Sequence, residues 1–599
     1  MKDVFKVRVF FVYTVIVVSF LFNIYVLDGG YAEDAYIFFR YAENLHLGHG
    51  LNFNSYERVE GYTSLLWTIL LYTGYWFDTT PEQLAKLLGI IFSLSTLIFT
   101  AKISIKVLDT NKYLWALPSI ALAFNYSFLY TTTSGLDQPL FNLLLLSAFY
   151  AQHFKKSFLI SNILWSLAVL TRPEGIALWG LSTFLKEAFE FGKTKNSKCL
   201  IKQIIKQSFP ILVFIIHTIV RYNYYGFVLA NTAYLKIGNP PGFLIESGIK
   251  YMIMWLKSGI SPIILTLALI FLKFFKREII FDENNKKFFA LILFWTLYIV
   301  YVGGDWIPGF RFMTTLLPFI FLMIAKNLEK LLESKYIIFL YFIFAVITIL
   351  DSHLIHSSSI QKGFLILSGT VATITALYYF NSKLKITNLY FILFALPLTF
   401  GTATNGNIAI NISEQNNIVR YLVSIGHWAK NNIPKDFKIA INPAGAVPYF
   451  SKLSTLDMLG LNDTYIAHKK NDTGFISPGH DKVAPRYIID RSPDIIFPGL
   501  FWLTDSSNPK TNRIQDNLKR YAIDRALLSL SSFHEKYCLA IISNHNIRFQ
   551  SDRPLIKGSP EIKEFFHFYL KKEKEDKLAK ALKQNKVSLI SCTDLSNYD

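Results

Sequence analysis

Before residue 404 the chain returns again and again to apolar runs of about 15–20 residues, the length that carries a helix across a bilayer; beyond 404 it has none. The runs fall near 7–27, 61–77, 84–101, 113–130, 137–151, 157–171, 175–186, 207–221, 259–273, 288–302, 311–325, 336–350, 363–379 and 388–403. They predict a polytopic α-helical membrane protein over residues 1–403. Composition agrees, with 52% hydrophobic and 17% charged residues, against about 25% charged in a soluble domain. Residues 404–599 instead mix charge, Pro and Asn with short β-like runs, KIAIN and DIIFPG, and are expected to form one soluble α/β domain.

The 61 Lys and Arg residues outnumber 42 Asp and Glu for a net charge of +19. This surplus sits in short loops beside apolar runs, where it sets orientation and does not call for nucleic acid. KEAFEFGKTKNSKCLIKQIIK, KFFKREIIFDENNKK, KNLEKLLESK and NSKLK fall on the cytoplasmic side. Alternation then puts the first loop (28–83), the loops at 131–136, 172–174, 222–258, 303–310 and 351–362, and the C-terminal domain outside. Parity requires thirteen spans. Run 61–77 is taken as the one that does not cross, a juxtamembrane or re-entrant helix, because counting it would export the basic loop from Lys102 to Lys112. The first run has a basic flank and is too long for a cleavable signal, so it is expected to remain as an anchor. Cys199, Cys538 and Cys592 show no paired metal-ligand spacing. Cys199 lies on the cytoplasmic side, whereas Cys538 and Cys592 fall in the exported domain as either a disulfide or two buried thiols.

The first outer loop holds the densest polar sequence. Asp34, Phe38, Tyr41 and Leu45 recur at helical spacing and Gly48–Gly50 stops the pattern, which predicts a short amphipathic helix on the membrane surface, opened by Glu33 and Asp34. Acids there serve either as a cap favoured by the helix dipole or as a fixed general base. Further polar groups come from Arg40, from Asp137 in SGLDQPL, from Arg172 and Glu174 in TRPEG, from Arg221, Asn231 and Lys236 in RYNYYGFVLANTAYLK, and from Asp305 and Arg311 in GGDWIPGFR. An arginine near a span end can simply snorkel. Gathered on one face, these groups would suit a substrate with a lipid tail and an anionic head, arginine forks holding phosphate and acids facing a sugar and its acceptor.

EDAYIFFRYAENLHLGHGLNFNSYERVEGYTSLLW, SGLDQPLF, LTRPEG, RYNYYGFVLANTAYLK, GGDWIPGFRFMTTLLP and, near the end, GAVPYFSKLSTLDMLGLNDTYIAHKK with SPGHDK together resemble the bacterial GT-C glycosyltransferases related to the terminal arabinofuranosyltransferases of actinobacterial cell walls. The resemblance implies a GT-C fold in the bacterial cytoplasmic membrane. It also implies an inverting enzyme that moves a sugar from a polyprenyl-phosphate donor to an envelope glycan or glycolipid on the periplasmic or extracellular face; the sugar itself is left open between arabinofuranosyl, as in decaprenyl-phosphate arabinofuranose, hexosyl and aminosugar, because no motif spells out pocket shape. By the same resemblance Asp34 is the catalytic acid of the first loop with Glu33 assisting, Asp137 is the second acid, and His480 matches a recurrent histidine of the C-terminal domain. Relatives more often carry Asp-Asp where this chain has Glu33-Asp34, and Glu where it has Asp137. No cofactor is required; a divalent cation between Glu33, Asp34 and Asp137 is an alternative. A lipid-linked glycan flippase or a non-catalytic envelope assembly protein are the competing readings, the former calling for polar groups along the middles of several spans.

Overall fold

The computed structural model describes residues 2–27, 30–108, 114–236, 239–258, 282–331, 406–470, 482–497, 499, 503–504, 522–543, 565–585, 587 and 589–594. These are mostly helical: α1 (Lys2–Leu27), α2 (Ala35–His46), α3 (Leu65–Tyr72), α4 (Pro81–Val107), α5 (Leu117–Ala123), α6 (Tyr126–Thr133), α7 (Gln138–Tyr150), α8 (Phe158–Thr171), α9 (Gly175–Thr194), α10 (Ser197–Lys206), α11 (Phe209–Tyr225), α12 (Asn231–Lys236), α13 (Pro241–Ser258), α14 (Glu283–Tyr301), α15 (Arg311–Thr314), α16 (Leu317–Leu331) and α17 (Gly406–Asn432). Beyond them lie α18 (Ala446–Ser451), α19 (Thr464–His468), α20 (Pro485–Asp490), α21 (Ala522–Leu528), α22 (Ser531–Lys536) and α23 (Glu575–Gln584), interleaved with strands. The chain divides into two compact units that do not follow sequence order. One comprises 1–31, 82–217 and 244–415; the other joins 32–81 and 218–243 to 416–599.

In the first unit, α4 is the one described helix long and apolar enough to cross a membrane, and shorter apolar helices occur at Val12–Tyr25, Phe158–Thr171 and Leu317–Asn327. The apolar run at 113–130 divides into α5 and α6. The expected spans at 259–273, 336–350, 363–379 and 388–403 lie outside the described residues. Close crossings rely on glycine. A Cβ on Gly89 of α4 would collide with the Thr132 carbonyl of α6, and one on Gly248 of α13 would lie 2.5 Å from the Val300 carbonyl of α14. Side-chain hydrogen bonds fix further neighbours: Asn23 to the Ala123 carbonyl (3.1 Å) and Trp295 Nε1 to the Phe312 carbonyl (2.8 Å). Phe289, Leu293, Leu297 and Tyr301 leave an exposed apolar stripe along α14 at a spacing of four residues.

The second unit contains a seven-stranded mixed sheet in the order β2-β1-β3-β6-β5-β7, with β4 also on β6. β1 (Lys438–Ile441) pairs in parallel with β2 (Ser454–Asp457) and β3 (Ile495–Ile496), so the strands expected from KIAIN and DIIFPG are neighbours. β6 (Phe565–Lys571) runs antiparallel to β3, to β4 (Leu503–Thr504) and to β5 (Tyr537–Ser543); β5 also pairs with β7 (Leu589–Asp594). Ile496, Leu527, Phe533, Tyr537 and Tyr569 share a core. Cys538 on β5 is disulfide-bonded. The helix expected from the first loop is α2, but it is not a surface helix with one open face: every residue from Ala35 to Ala42 is buried. Tyr36 and Phe39 on it meet Tyr449 at 5.8 and 6.0 Å between ring centroids, and Tyr36 meets Phe450 at 5.5 Å, so aromatic side chains of the C-terminal segment take the place that lipid would have filled.

Candidate functional site

Asp34 occupies the N-cap of α2, yet its side chain makes no capping bond. The first N–H groups of the helix are met by backbone turns, Ala35 to the Ala32 carbonyl (3.1 Å), Tyr36 to Glu33 (3.2 Å) and Ile37 to Asp34 (3.2 Å), so the helix needs neither acid as a cap. Asp34 is half-buried. Glu33 is buried and turns to the turn before α18, where its Oε1 accepts the N–H groups of Gly445 (2.6 Å) and Ala446 (3.0 Å). Burial, then the nearby charges of Asp34 and Asp457, push Glu33 up to about 8 against the pull of those two N–H groups. Arg40, two turns along, donates to the carbonyls of Phe53 (2.7 Å), Pro448 (2.6 Å) and Leu453 (2.9 Å) and to Asn54 Oδ1 (3.1 Å). That fork is occupied by the protein's own carbonyl oxygens.

A second polar group follows from the loop after α2. Tyr41 donates to the Val59 carbonyl (2.6 Å) and accepts the Gly61 N–H (2.8 Å), which places Glu60 and Tyr62. Glu60 Oε2 accepts from Arg221 Nε at 2.6 Å, and Tyr62 shares a hydrogen bond with Tyr225 (3.1 Å). Glu60 and Arg221 are both buried, and burial pushes Glu60 up to about 7 although Arg221 opposes the shift. Arg221 Nη2 is buried without a partner among the described residues. Asn231 is a tie: its backbone N–H donates to the Glu60 carbonyl (3.0 Å) and its amide to the carbonyls of Gly460 (2.8 Å), Leu461 (3.0 Å) and Asp463 (3.2 Å). Lys236, half-buried, ends α12. Sequence pattern alone did not single out Glu60; the signal was present as an acid directly before an apolar run in VEGYT.

The remaining candidates assemble in the first unit at the ends of helices. Asp137 is the N-cap of α7, Arg172 the C-cap of α8 and Glu174 the N-cap of α9. Arg172 bridges the two acids, 3.4 Å from Asp137 Oδ1 and 2.9 Å from Glu174 Oε1, with Asp137 and Arg172 buried and Glu174 only slightly exposed. Phe312 and Phe141 cover the guanidinium at 5.2 and 5.8 Å. Burial works against both charges of the Arg172–Glu174 pair; the pairing wins, holding Glu174 low and Arg172 high, and Tyr298 also bonds Glu174. Asp305 takes Arg311 in a two-pronged contact, 2.5 Å to Nε and 3.1 Å to Nη2. Gln138 to Thr315 (2.7 Å) and Asn142 to Thr314 (3.2 Å) pin this segment against α7, and the charge of Arg311 acts on Asp137. Thus Asp137, Arg172, Glu174, Asp305 and Arg311 lie together in the first unit, while Glu33, Asp34, Arg40, Arg221, Asn231 and Lys236 belong to the second. His480 lies outside the described residues. Among the described residues no group of three or more His, Cys, Asp or Glu side chains is arranged to hold a metal ion.

Residues 408–551 match a family described as a domain of unknown function (DUF8728). No curated protein matches the chain. Among solved structures, the chain is similar to ArnT from Cupriavidus metallidurans, in the apo state and bound to undecaprenyl phosphate, with 11% identity over 76% of this chain and 86% of that one and a TM-score of 0.48. It is also similar to the archaeal oligosaccharyltransferase AglB from Archaeoglobus fulgidus, in complex with an inhibitory peptide and a dolichol-phosphate, with 9% identity over 90% of this chain and 74% of that one and a TM-score of 0.48.

Proposed function

We propose that the chain is an integral-membrane, inverting glycosyltransferase of the GT-C kind, which moves a sugar from a polyprenyl-phosphate donor to a glycan or glycolipid acceptor at the outer face of the cytoplasmic membrane. The sequence motifs of the first loop and of the later polar loops support this reading. Exposed apolar stripes such as that on α14 support a lipid surround, and a disulfide at Cys538 supports an oxidising compartment for the C-terminal segment. The observation that carries the chemistry is Asp34: an acid at the start of a buried, rigid helix that does not cap that helix.

In this mechanism Asp34 takes the proton from the acceptor hydroxyl as its oxygen attacks the anomeric carbon from the face opposite the phosphate. A single displacement inverts the anomeric centre, and a positioned base supplies about 10²–10⁴ in rate. Of the three arginines, Arg221 is assigned to the donor phosphate, because its Nη2 has no partner among the described residues while Arg172 and Arg311 are bound to carboxylates on two or more nitrogens. The motif resemblance does not choose the donor sugar, and arabinofuranosyl, hexosyl and aminosugar donors stand as the alternatives. The test is transfer from a panel of polyprenyl-phosphate sugars by the purified chain in lipid nanodiscs. Asp34→Asn should lose transfer by about 10²–10⁴, and Arg221→Ala should raise the apparent KM for the donor. Undiminished transfer by Asp34→Asn would end the base assignment.

A further inference from the structure

We propose that Glu33 is a positioning residue, and that residues 445–453 form a receptor which grips the first half of α2 and so fixes the direction of Asp34. This rests on the reading of Asp34 as the base. The grip has three parts. At the start of α2, Glu33 Oε1 accepts the Gly445 and Ala446 N–H groups. In its first turns, Tyr36 and Phe39 pack on Tyr449, and Tyr36 on Phe450. Two turns on, Arg40 donates to the carbonyls of Pro448 and Leu453. The approach at the first point is so close that a Cβ on Gly445 would lie 2.5 Å from Glu33 Oε1 and would collide with the Glu33 carbonyl oxygen. Residue 445 is therefore confined to glycine by the backbone carbonyl of Glu33 first and by its side chain second.

This geometry separates the two neighbouring acids. A catalytic acid or base must reach a substrate atom, whereas one oxygen of Glu33 is committed to two backbone N–H groups inside the protein. Burial together with Asp34 and Asp457 raises Glu33 to about 8, so near neutral pH its uncharged form is well populated. Glutamine copies that form, and its amide oxygen can accept the same two bonds.

The experiment compares Glu33→Gln, Glu33→Ala, Gly445→Ala and Asp34→Asn in the full-length chain in nanodiscs. It measures sugar transfer and, separately, amide exchange of peptides covering 442–453. Glu33→Gln should keep transfer within about tenfold of wild type and keep exchange slow, well short of the loss that removing a base brings. Glu33→Ala and Gly445→Ala should lose more than about tenfold and exchange faster at 445–446, because the same contact is cut from either side. Asp34→Asn should lose transfer with exchange unchanged. Glu33→Gln as inactive as Asp34→Asn with protection intact would make Glu33 a chemical participant and overturn the proposal. So would unchanged protection in Glu33→Ala. If the wild-type chain transfers no sugar, the base reading falls, and the exchange measurements alone decide whether the grip exists.

Discussion

Replacing Arg40 by alanine tests whether its guanidinium holds the fold or meets a substrate. The fork donates four hydrogen bonds, to the carbonyls of Phe53, Pro448 and Leu453 and to Asn54 Oδ1, and lies 4.4 Å over the Phe53 ring. Counted singly at about 1.5–3 kcal/mol for a charged donor, the four would give roughly 6–12 kcal/mol. That sum is too large, because every acceptor keeps a second donor. Phe53 retains Asn44 Nδ2, Asn54 Oδ1 retains the Thr455 N–H, Pro448 retains the Lys452 N–H and Leu453 retains the Thr455 hydroxyl. No acceptor is orphaned, and removing a buried charge returns part of its desolvation cost. What is left is the charge-assisted share and a cavity, about 2–4 kcal/mol. In a unit of this size that lowers Tm by roughly 4–16 °C. Tryptophan-fluorescence melting in detergent measures it, with Arg40→Lys intermediate because three ammonium donors cannot span four acceptors. Arg40→Ala melting within about 1 °C of wild type, with a raised apparent KM for the donor, would refute the reasoning and return Arg40 to substrate binding.

Gly89→Ala should sharply reduce folded yield, since its methyl meets the Thr132 backbone, whereas Gly180→Ala on α9 meets nothing within 4 Å and should be neutral or stabilising by up to about 1 kcal/mol; size-exclusion yield and melting separate the two. The Asp524 carboxyl is wholly buried, and burial raises it well above the usual carboxylate range although the Arg525 charge and the Gly499 N–H pull the other way. Because the folded state holds that proton more tightly, its contribution is complete below about pH 3.9 and is lost as pH rises through the folded value; Asp524→Asn should therefore out-melt wild type by a margin that grows with pH, and a constant or vanishing margin would contradict this. Cys538 should resist alkylation under denaturing conditions until a reductant is added, as peptide mass spectrometry would show.

Local features were legible in the sequence because local spacing determines them. The period of Asp34, Phe38, Tyr41 and Leu45 marks α2, and its end at His46 is followed by Gly48 and Gly50 at φ +80° and +82°, a backbone that side chains disfavour. KIAIN shows a continuous buried run because β1 is paired on both edges within the sheet. Partnership at long range was not legible. Nothing in EDAYIFFR announces that Glu33 meets Gly445 or that Arg40 meets Leu453, more than four hundred residues away, and nothing in TRPEG announces Asp137. The amphipathic period of α2 correctly separated polar from apolar positions but could not say whether lipid or protein would cover the apolar ones; aromatic side chains of the C-terminal segment do.

That difference changes how the polar residues of the loops are weighed. Composition treats every acid and arginine near a span end as an equal candidate for substrate, yet a buried charge must be paired where it lies. Arg172 is held by Asp137 and Glu174, Arg311 by Asp305, and Arg40 by carbonyl oxygens. To bind a phosphate, Arg172 or Arg311 would first have to give up a carboxylate already in contact, which offsets much of what the phosphate contributes. Arg221 differs, since among the described residues its one carboxylate partner, Glu60, engages Nε and Nη2 has none. A charge-neutralising exchange separates these cases. Asp305→Asn should release Arg311 and chiefly lower stability, whereas Glu60→Gln, which keeps an acceptor for Nε but weakens the pull on Arg221, should chiefly change the apparent KM for the lipid donor. A shift in donor KM for Asp305→Asn with none for Glu60→Gln would move the phosphate assignment from Arg221 to Arg311.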